Sequence, residues 1–237
     1  MNKRNVKSGI ERNVDGILAR LRSLANPRNR EGMIRYAVAN DSALGVSTPV
    51  LRKLAREVGH SQALAEALWK TGVYEARALA ALIGEPAEVT DDLMERWAKD
   101  FDSWAICDGC CLALFSETPL AYRKALAWSR RSEEFVKRAG FSLMAVLAVH
   151  DKAARDSKFL KFLPAIQRGA RDERNFVRKA VNWALRQIGK RNLQLNRAAI
   201  AAAEKLRAID SRSARWIAAD ALRELRSEAV AKRLRNC

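Results

Sequence analysis

The chain has 237 residues, 49% of them apolar, which is enough to bury the core of one large or two small domains and excludes a disordered protein. It contains 5 Pro and 11 Gly, abundant Ala and Leu and few β-branched residues, a composition that favours an all-helical fold. The net charge of +17 lies entirely in the second half. Residues 1–120 hold 16 basic and 16 acidic side chains, whereas residues 121–237 hold 28 and 11. Such a basic stripe is the expected footprint of nucleic-acid binding, with a solvated cationic surface or an anionic-lipid contact as alternatives.

The N-terminus and the cysteines bear on the compartment. The opening MNKRNVKSGIERNVDG has no apolar signal segment, and no stretch approaches membrane-spanning length. We expect a cytoplasmic, nucleoid-associated protein with reduced thiols. The four cysteines, Cys107, Cys110, Cys111 and Cys237, do not suggest a disulfide framework. Because there are only two His and no second Cys pair, we expect buried thiols rather than a zinc site.

Hydrophobic periodicity predicts a string of amphipathic helices after a flexible basic tail at residues 1–10. Asn26-Pro27 is interpreted as the stop of the first helix. The segment LGVSTP at 44–49 reads as a turn, with Ser47 or Thr48 as N-cap and Pro49 opening the next helix. The predicted helices span 11–25, 31–39, 49–58, 61–70, 74–84, 90–100, 102–115, 118–129, 132–149, 156–170, 172–189, 194–207, 211–225 and 227–234.

Two short matches indicate repeats. EFVKRA at 134–139 returns as NFVRKA at 175–180, and ALRQI at 184–188 returns as ALREL at 221–225. Separations of 41 and 37 residues are typical of HEAT or armadillo helix pairs. We interpret residues 11–237 as a single domain, a right-handed α-solenoid of HEAT-like repeats whose second helices line a concave basic face. The alternative is an irregular helical bundle with accidental similarity.

In a solenoid, basic residues recur at repeat spacing and can follow the phosphates of a nucleic acid. The residues with this recurrence are Lys137, Arg138, Arg178, Lys179, Arg186, Arg215 and Arg223.

The candidate chemistry is a carboxylate beside an indole. Trp104 and Asp108 are four residues apart on a predicted helix and therefore share a face. An indole there can contact a deoxyribose while the carboxylate points at the anomeric carbon. Trp183 lies at the corresponding level of a later repeat, and Arg138 can hold a phosphate bidentately. The competing interpretations are an Asp paired with a nearby Arg and tryptophans in the core, which is what we expect of Trp69, Trp97, Trp128 and Trp216.

From about Arg30 to about Leu225, the sequence resembles the DNA alkylation repair family, the AlkD-type alkylpurine DNA glycosylases built from HEAT-like repeats. The resemblance rests on LGVSTP followed by Leu51-Arg52, on Ser103-Trp104 with Asp108, on Arg138-Ala139, and on KAVNWALR at 179–186. One departure is Ser47, at a position where the family often carries Gln.

The resemblance implies a curved solenoid whose concave face grips double-stranded DNA containing alkylated bases. The implied reaction is hydrolytic excision of 3-methyladenine and 7-methylguanine without a flipped-base pocket, by a monomer that needs no cofactor or metal. It assigns catalysis to Asp108 with Trp104 and Trp183 at the sugar. It assigns DNA binding to Arg138. The further DNA contacts that we expect are Lys137, Ser47, Thr48, Arg178, Lys179 and Arg186. A non-catalytic HEAT-like protein that binds distorted or branched DNA and a protein-binding repeat scaffold remain as alternatives.

Overall fold

The computed structural model describes residues 3–38 and 42–235, and all regular structure within them is helical. Two single 3-10 turns, Pro86–Glu88 and Phe115–Glu117, accompany the α-helices. The α-helices of the described residues are α1 Lys3–Ser23, α2 Pro27–Arg35, α3 Thr48–Val58, α4 Gln62–Trp69, α5 Tyr74–Ile83, α6 Asp91–Lys99, α7 Trp104–Ala113, α8 Ala121–Trp128, α9 Glu134–His150, α10 Asp156–Leu160, α11 Leu163–Gly169, α12 Asn175–Gly189, α13 Leu193–Arg207, α14 Arg212–Leu225 and α15 Glu228–Arg235.

Most predicted helices are confirmed within a few residues, and three differ. The first helix begins at Lys3, so residues 3–10 of the predicted tail are helical; residues 1 and 2 lie outside the described part. Pro27 opens α2 because a missing N–H costs nothing in a first turn, and the Asn26 side chain caps it by accepting from the Asn29 amide at 3.1 Å. The predicted end of this helix, residue 39, is also outside the described part. The predicted helix 156–170 is divided into α10 and α11.

The chain divides into two compact units, Met1–Thr118 and Pro119–Cys237. We call them the first unit and the second unit. The single domain expected over residues 11–237 stays a prediction.

In the second unit the predicted repeats are confirmed by where the helices begin. The helices α9, α12 and α14 begin at residues 134, 175 and 212, which reproduces the separations of 41 and 37. Helix α12 packs against both α9 and α14. Bonds between neighbouring repeats join residues 38 apart, for example Asn182 Nδ2 to Asp220 Oδ2 at 2.7 Å.

The core of the first unit is aromatic. Trp69 and Trp97 stack with ring centroids 4.0 Å apart and planes within 3°, and Phe101 and Phe115 pack around them. The interior positions expected for Trp69, Trp97 and Trp128 are confirmed, since each is at most 3% exposed.

The core position expected for Trp216 is wrong, because this side chain is 39% exposed on α14. The guanidinium of Arg178 lies 5.0 Å from its ring centroid. A cation over an indole face stabilises a ring that remains at the surface. The helical period alone does not distinguish this arrangement from core packing.

Candidate functional site

Helix α7 has one buried face and one face that is partly exposed. Ser103 caps it, accepting from the Ile106 amide at 3.4 Å, and the buried face carries Ile106, Cys107, Cys110 and Cys111. Trp104 and Asp108 lie half-buried on the other side. Asp108 is the only charged residue of this helix. The structure thus places one carboxylate beside an indole on a helix that has no other charged side chain.

The indole of Trp104 is held in place. Its Nε1–H donates to the backbone carbonyl of Tyr36 at 2.9 Å, which joins α7 to the end of α2. A ring fixed by such a bond presents its remaining surface in one orientation and loses little conformational freedom when it meets a ligand.

The LGVSTP turn is shaped by a buried carboxylate that the sequence analysis did not single out. Glu75 is 0% exposed and accepts from the backbone amides of Leu44, Gly45 and Val46 at 2.7–3.2 Å. Gly45 has φ +82°, and a Cβ there would lie 2.2 Å from the carbonyl oxygen of Asn26. Only glycine fits this crossing of two backbone segments. The turn is therefore rigid, and it fixes the start of α3.

The start of α3 agrees with the sequence. Ser47 is the N-cap and Pro49 lies in the first turn. The Ser47 side chain makes no capping bond, and both Ser47 and Thr48 are exposed.

A cavity of about 840 Å³ in the first unit collects three of the predicted site residues, Ser47, Thr48 and Trp104. The wall of the cavity is formed by residues of α2, α3, α5 and α7 and of the turn before α3, and most of it is apolar. Two further aromatic side chains, Tyr36 and Tyr74, line it. Burial, followed by the neighbouring charge of Glu75, raises the pKa of Tyr74 to about 12.

The charged side chains in the wall of this cavity are Arg28 and Arg52, both exposed. No carboxylate lines it among the described residues, although the first unit contains as many acidic as basic residues. Sequence reasoning noticed Arg52 only as a piece of the family resemblance and missed Arg28. The available signal was that Pro27 can open a helix, which puts Arg28 in its first turn.

In the second unit, the predicted DNA contact Arg138 is buried, with 6% exposure. Its Nη1 donates to the carbonyl of Phe176 at 2.7 Å, one repeat later. In this structure the guanidinium therefore stabilises the packing of α9 on α12, and its contact with a phosphate stays a prediction.

Lys137 takes part in a three-residue ionic cluster. Its Nζ lies 2.9 Å from Asp172 Oδ2, and Arg174 binds the same carboxylate with Nη2 at 2.6 Å. Burial acts to raise the pKa of Asp172, but the hydrogen bonds from Arg174 and Lys137 outweigh it and hold that pKa well below its ordinary value. The carboxylate is ionised, and the cluster keeps a net positive charge.

The remaining predicted contacts differ in exposure. Lys179 is exposed on α12, whereas Trp183 and Arg178 are half-buried. Arg186 is also half-buried and pairs with Asp220 and Glu224 of the next repeat. The structure gathers these four residues on α12, the central helix of the repeats in the second unit.

Three cysteines, Cys107, Cys110 and Cys111, form no disulfide and are buried, as expected, whereas Cys237 lies outside the described residues. Burial raises the pKa of Cys110 well above its ordinary value. Within residues 3–38 and 42–235 no three His, Cys, Asp or Glu side chains converge as metal ligands. In the same part of the chain, none of the helices has the length and apolarity needed to cross a membrane.

The fold and these residues define a helical-repeat protein with a carboxylate-indole site and a basic second unit. The family model described as DNA alkylation repair enzyme matches residues 17–225, and the chain belongs to this family. A search among curated proteins found no match.

Two solved structures are similar to the chain. The first belongs to "a new family of proteins related to the HEAT-like repeat DNA glycosylases with affinity for branched DNA structures". It has a TM-score of 0.77 and 21% identity over 93% of this chain and 95% of that one. This likeness confirms the all-helical HEAT-like repeat fold. The second, a designed armadillo repeat protein, has a TM-score of 0.34 and 16% identity over 74% of this chain and 91% of that one.

Proposed function

We propose that the protein is a DNA glycosylase that hydrolyses the N-glycosidic bond of cationic alkylated purines, 3-methyladenine and 7-methylguanine, in duplex DNA. The observation that carries the proposal is the position of the Asp108 carboxylate, half-buried one helical turn from the anchored Trp104, in a member of the DNA alkylation repair family. In this role the protein acts as a cytoplasmic monomer on chromosomal DNA.

The chemistry requires only one carboxylate. An N3- or N7-alkylated purine already carries a positive charge, so it leaves as a neutral base with the electron pair of the C1′–N bond. Ordinary glycoside hydrolysis needs a second carboxyl group to protonate the leaving group, and here that step is unnecessary. Asp108 stabilises the oxocarbenium-like sugar and orients the water that attacks C1′; the water's proton passes to solvent.

The aromatic side chains contribute to the same step. The indole face of Trp104 stabilises the cationic sugar, and Trp183 is the second indole that the proposal assigns to the sugar. The proposed contacts with the DNA phosphates are the cationic side chains of Lys137, Arg178, Lys179 and Arg186. The hydroxyl groups of Ser47 and Thr48, at the start of α3, are proposed as further DNA contacts. Arg138 is proposed to orient α12, the helix that bears Trp183, through its bond to Phe176. The damaged base remains within the duplex while the bond breaks.

The test is release of 7-methylguanine from alkylated duplex by the wild type and by Asp108→Asn under single-turnover conditions. We expect the variant to lose about 10²-fold in rate, the size of effect found when one stabilising group of a transition state is removed. Asp92→Asn is the matched control, since it removes one exposed carboxylate on α6 and should leave the rate unchanged.

Lesion charge gives an independent test. Hypoxanthine and uracil are neutral and leave poorly without a general acid, so their excision should be far slower than that of 7-methylguanine. Comparable rates would contradict the one-carboxylate mechanism.

A second candidate is non-catalytic binding of branched DNA, favoured by the described affinity of the similar solved structure for such DNA. It predicts tight binding of a four-way junction, no base release by the wild type, and unchanged or tighter binding by Asp108→Asn because one repulsive charge is removed.

A further inference from the structure

We propose that the cavity between α2, α3, α5 and α7 binds a single unpaired nucleotide of a DNA strand, with its base inside the cavity and its phosphate at the mouth. This inference rests on the proposed function in that DNA is the ligand, and it adds a second DNA-binding site in the first unit.

The size and wall of the cavity fit a nucleobase. Its volume of about 840 Å³ lies in the range of small-molecule sites and exceeds what one base requires. Most of the wall is apolar, with three aromatic side chains, Tyr36, Tyr74 and Trp104. Stacking on such rings is the usual way in which proteins hold unpaired bases without sequence preference.

The polar groups fit the rest of a nucleotide. Arg28 and Arg52 line the cavity and are exposed, so they lie at its opening, where a phosphate would remain in contact with solvent. Two hydroxyls, of Ser47 and Thr48, stand there at the N-terminal end of α3, which favours negative charge. No carboxylate belongs to the described wall, and the buried Glu75 behind it is bonded to the amides of Gly45 and Val46.

We favour a DNA strand over a free nucleotide as the ligand because the cavity lies next to the proposed reaction centre. Trp104 lines it, and Asp108, the proposed reaction centre, follows one helical turn later on the same exposed face of α7. DNA bound at Asp108 therefore has a strand within reach of the opening. The damaged base does not have to leave the duplex for this, since the occupant is a different, unpaired nucleotide.

The experiment compares the affinity of the protein for a 20-base-pair duplex with that for the same duplex carrying one bulged adenine. The wild type should bind the bulged duplex at least about fivefold more tightly, the lower end of what stacking one base contributes. Ala105→Phe, which places a ring in the cavity wall, should reduce this ratio to near one without changing the affinity for the paired duplex. Ala55→Phe on α3, half-buried and outside the described wall, is the matched control and should preserve the ratio.

A second pair of variants tests the mouth of the cavity and does not depend on repacking. Arg52→Ala should lower the slope of log affinity against log salt for the bulged duplex by about 1. Lys53 is exposed next to Arg52 but lies outside the wall, so Lys53→Ala should leave this slope unchanged. Thermal unfolding of each variant verifies that the fold is intact.

Three results would overturn the proposal: a wild-type ratio near one with normal binding of the paired duplex, a ratio that survives Ala105→Phe, or free deoxyadenosine monophosphate binding as tightly as the bulged duplex. Base release is scored separately on fully paired DNA. If the wild type releases no alkylated base but still prefers the bulged duplex, and Ala105→Phe abolishes that preference, the glycosylase proposal is wrong and the proposal of a nucleotide site is supported.

Discussion

The two units of the chain separate chemistry from charge. The first unit has no net charge and contains the lone carboxylate of α7, the stacked Trp69–Trp97 core and the apolar cavity. The second unit carries the whole net charge of +17, and its helices are joined at repeat spacing by ionic and polar bonds. In this protein Asp108 and Trp104, proposed to act on the sugar, therefore belong to a different part of the sequence from most residues proposed to bind phosphate; Trp183, the third residue proposed for the sugar, is the exception.

The largest expected effect concerns the charge of the second unit. If that unit binds duplex DNA through about six phosphates, affinity should fall about 10³-fold between 50 and 200 mM salt. Lys179→Ala should lower the slope of log affinity against log salt by about 0.9, whereas Lys99→Ala, an exposed lysine of the first unit, should leave it unchanged. Fluorescence anisotropy over a salt series measures both slopes. Equal effects of the two variants would remove the distinction between the units, and a flat slope for the wild type would favour a protein-binding scaffold.

The next effect concerns the stability of the first unit. Gly45 has φ +82°, and Gly45→Ala puts a methyl group 2.2 Å from the carbonyl oxygen of Asn26. The turn must therefore move, which breaks hydrogen bonds between its backbone amides and Glu75. We expect a loss of about 3 kcal/mol or more in the free energy of unfolding. Gly72→Ala is the control, because Gly72 also has positive φ but no atom within 4 Å of a built Cβ, and it should cost about 1–2 kcal/mol. Denaturant titration distinguishes the two; equal losses would show that the crowding at Gly45 carries no extra cost.

A smaller effect concerns the ionic cluster of the second unit. Asp172→Asn should cost about 2 kcal/mol at pH 7, because the Asp172 side chain is only 7% exposed and holds two cations. Its pKa is lowered in the folded state, so its contribution is complete above the unfolded pKa of about 4 and is lost as the pH falls through the folded value. The difference between wild type and variant should be constant from pH 7 to pH 5 and shrink below about pH 4. Asp210→Asn, a fully exposed partner of Arg215, should produce no measurable change.

Local pattern was sufficient where the controlling interaction is local. A spacing of four residues places Trp104 and Asp108 on one helical face, and a repeated segment predicts where the repeat helices of the second unit begin. The turn at 44–49 limits the N-cap of α3 to Ser47 or Thr48, and the structure selects Ser47. The sequence predicts that the first helix stops at Asn26-Pro27, and α1 does end just before them, at Ser23. The start of α2 at Pro27, rather than at the predicted residue 31, follows from the Asn26 cap and from the tolerance of a first helical turn for proline.

The helices, their repeat period and the uneven charge were determined by the sequence alone, since each depends on composition or on a period along the chain. Tertiary structure decided which side of each helix meets a neighbour. It buried Arg138 against a carbonyl 38 residues away, left Trp216 at the surface beneath Arg178, directed Glu75 to the LGVSTP turn and enclosed the cavity. Those outcomes depend on packing between segments distant in sequence, and the 3.6-residue period of a helix carries no information about which segment will be its neighbour.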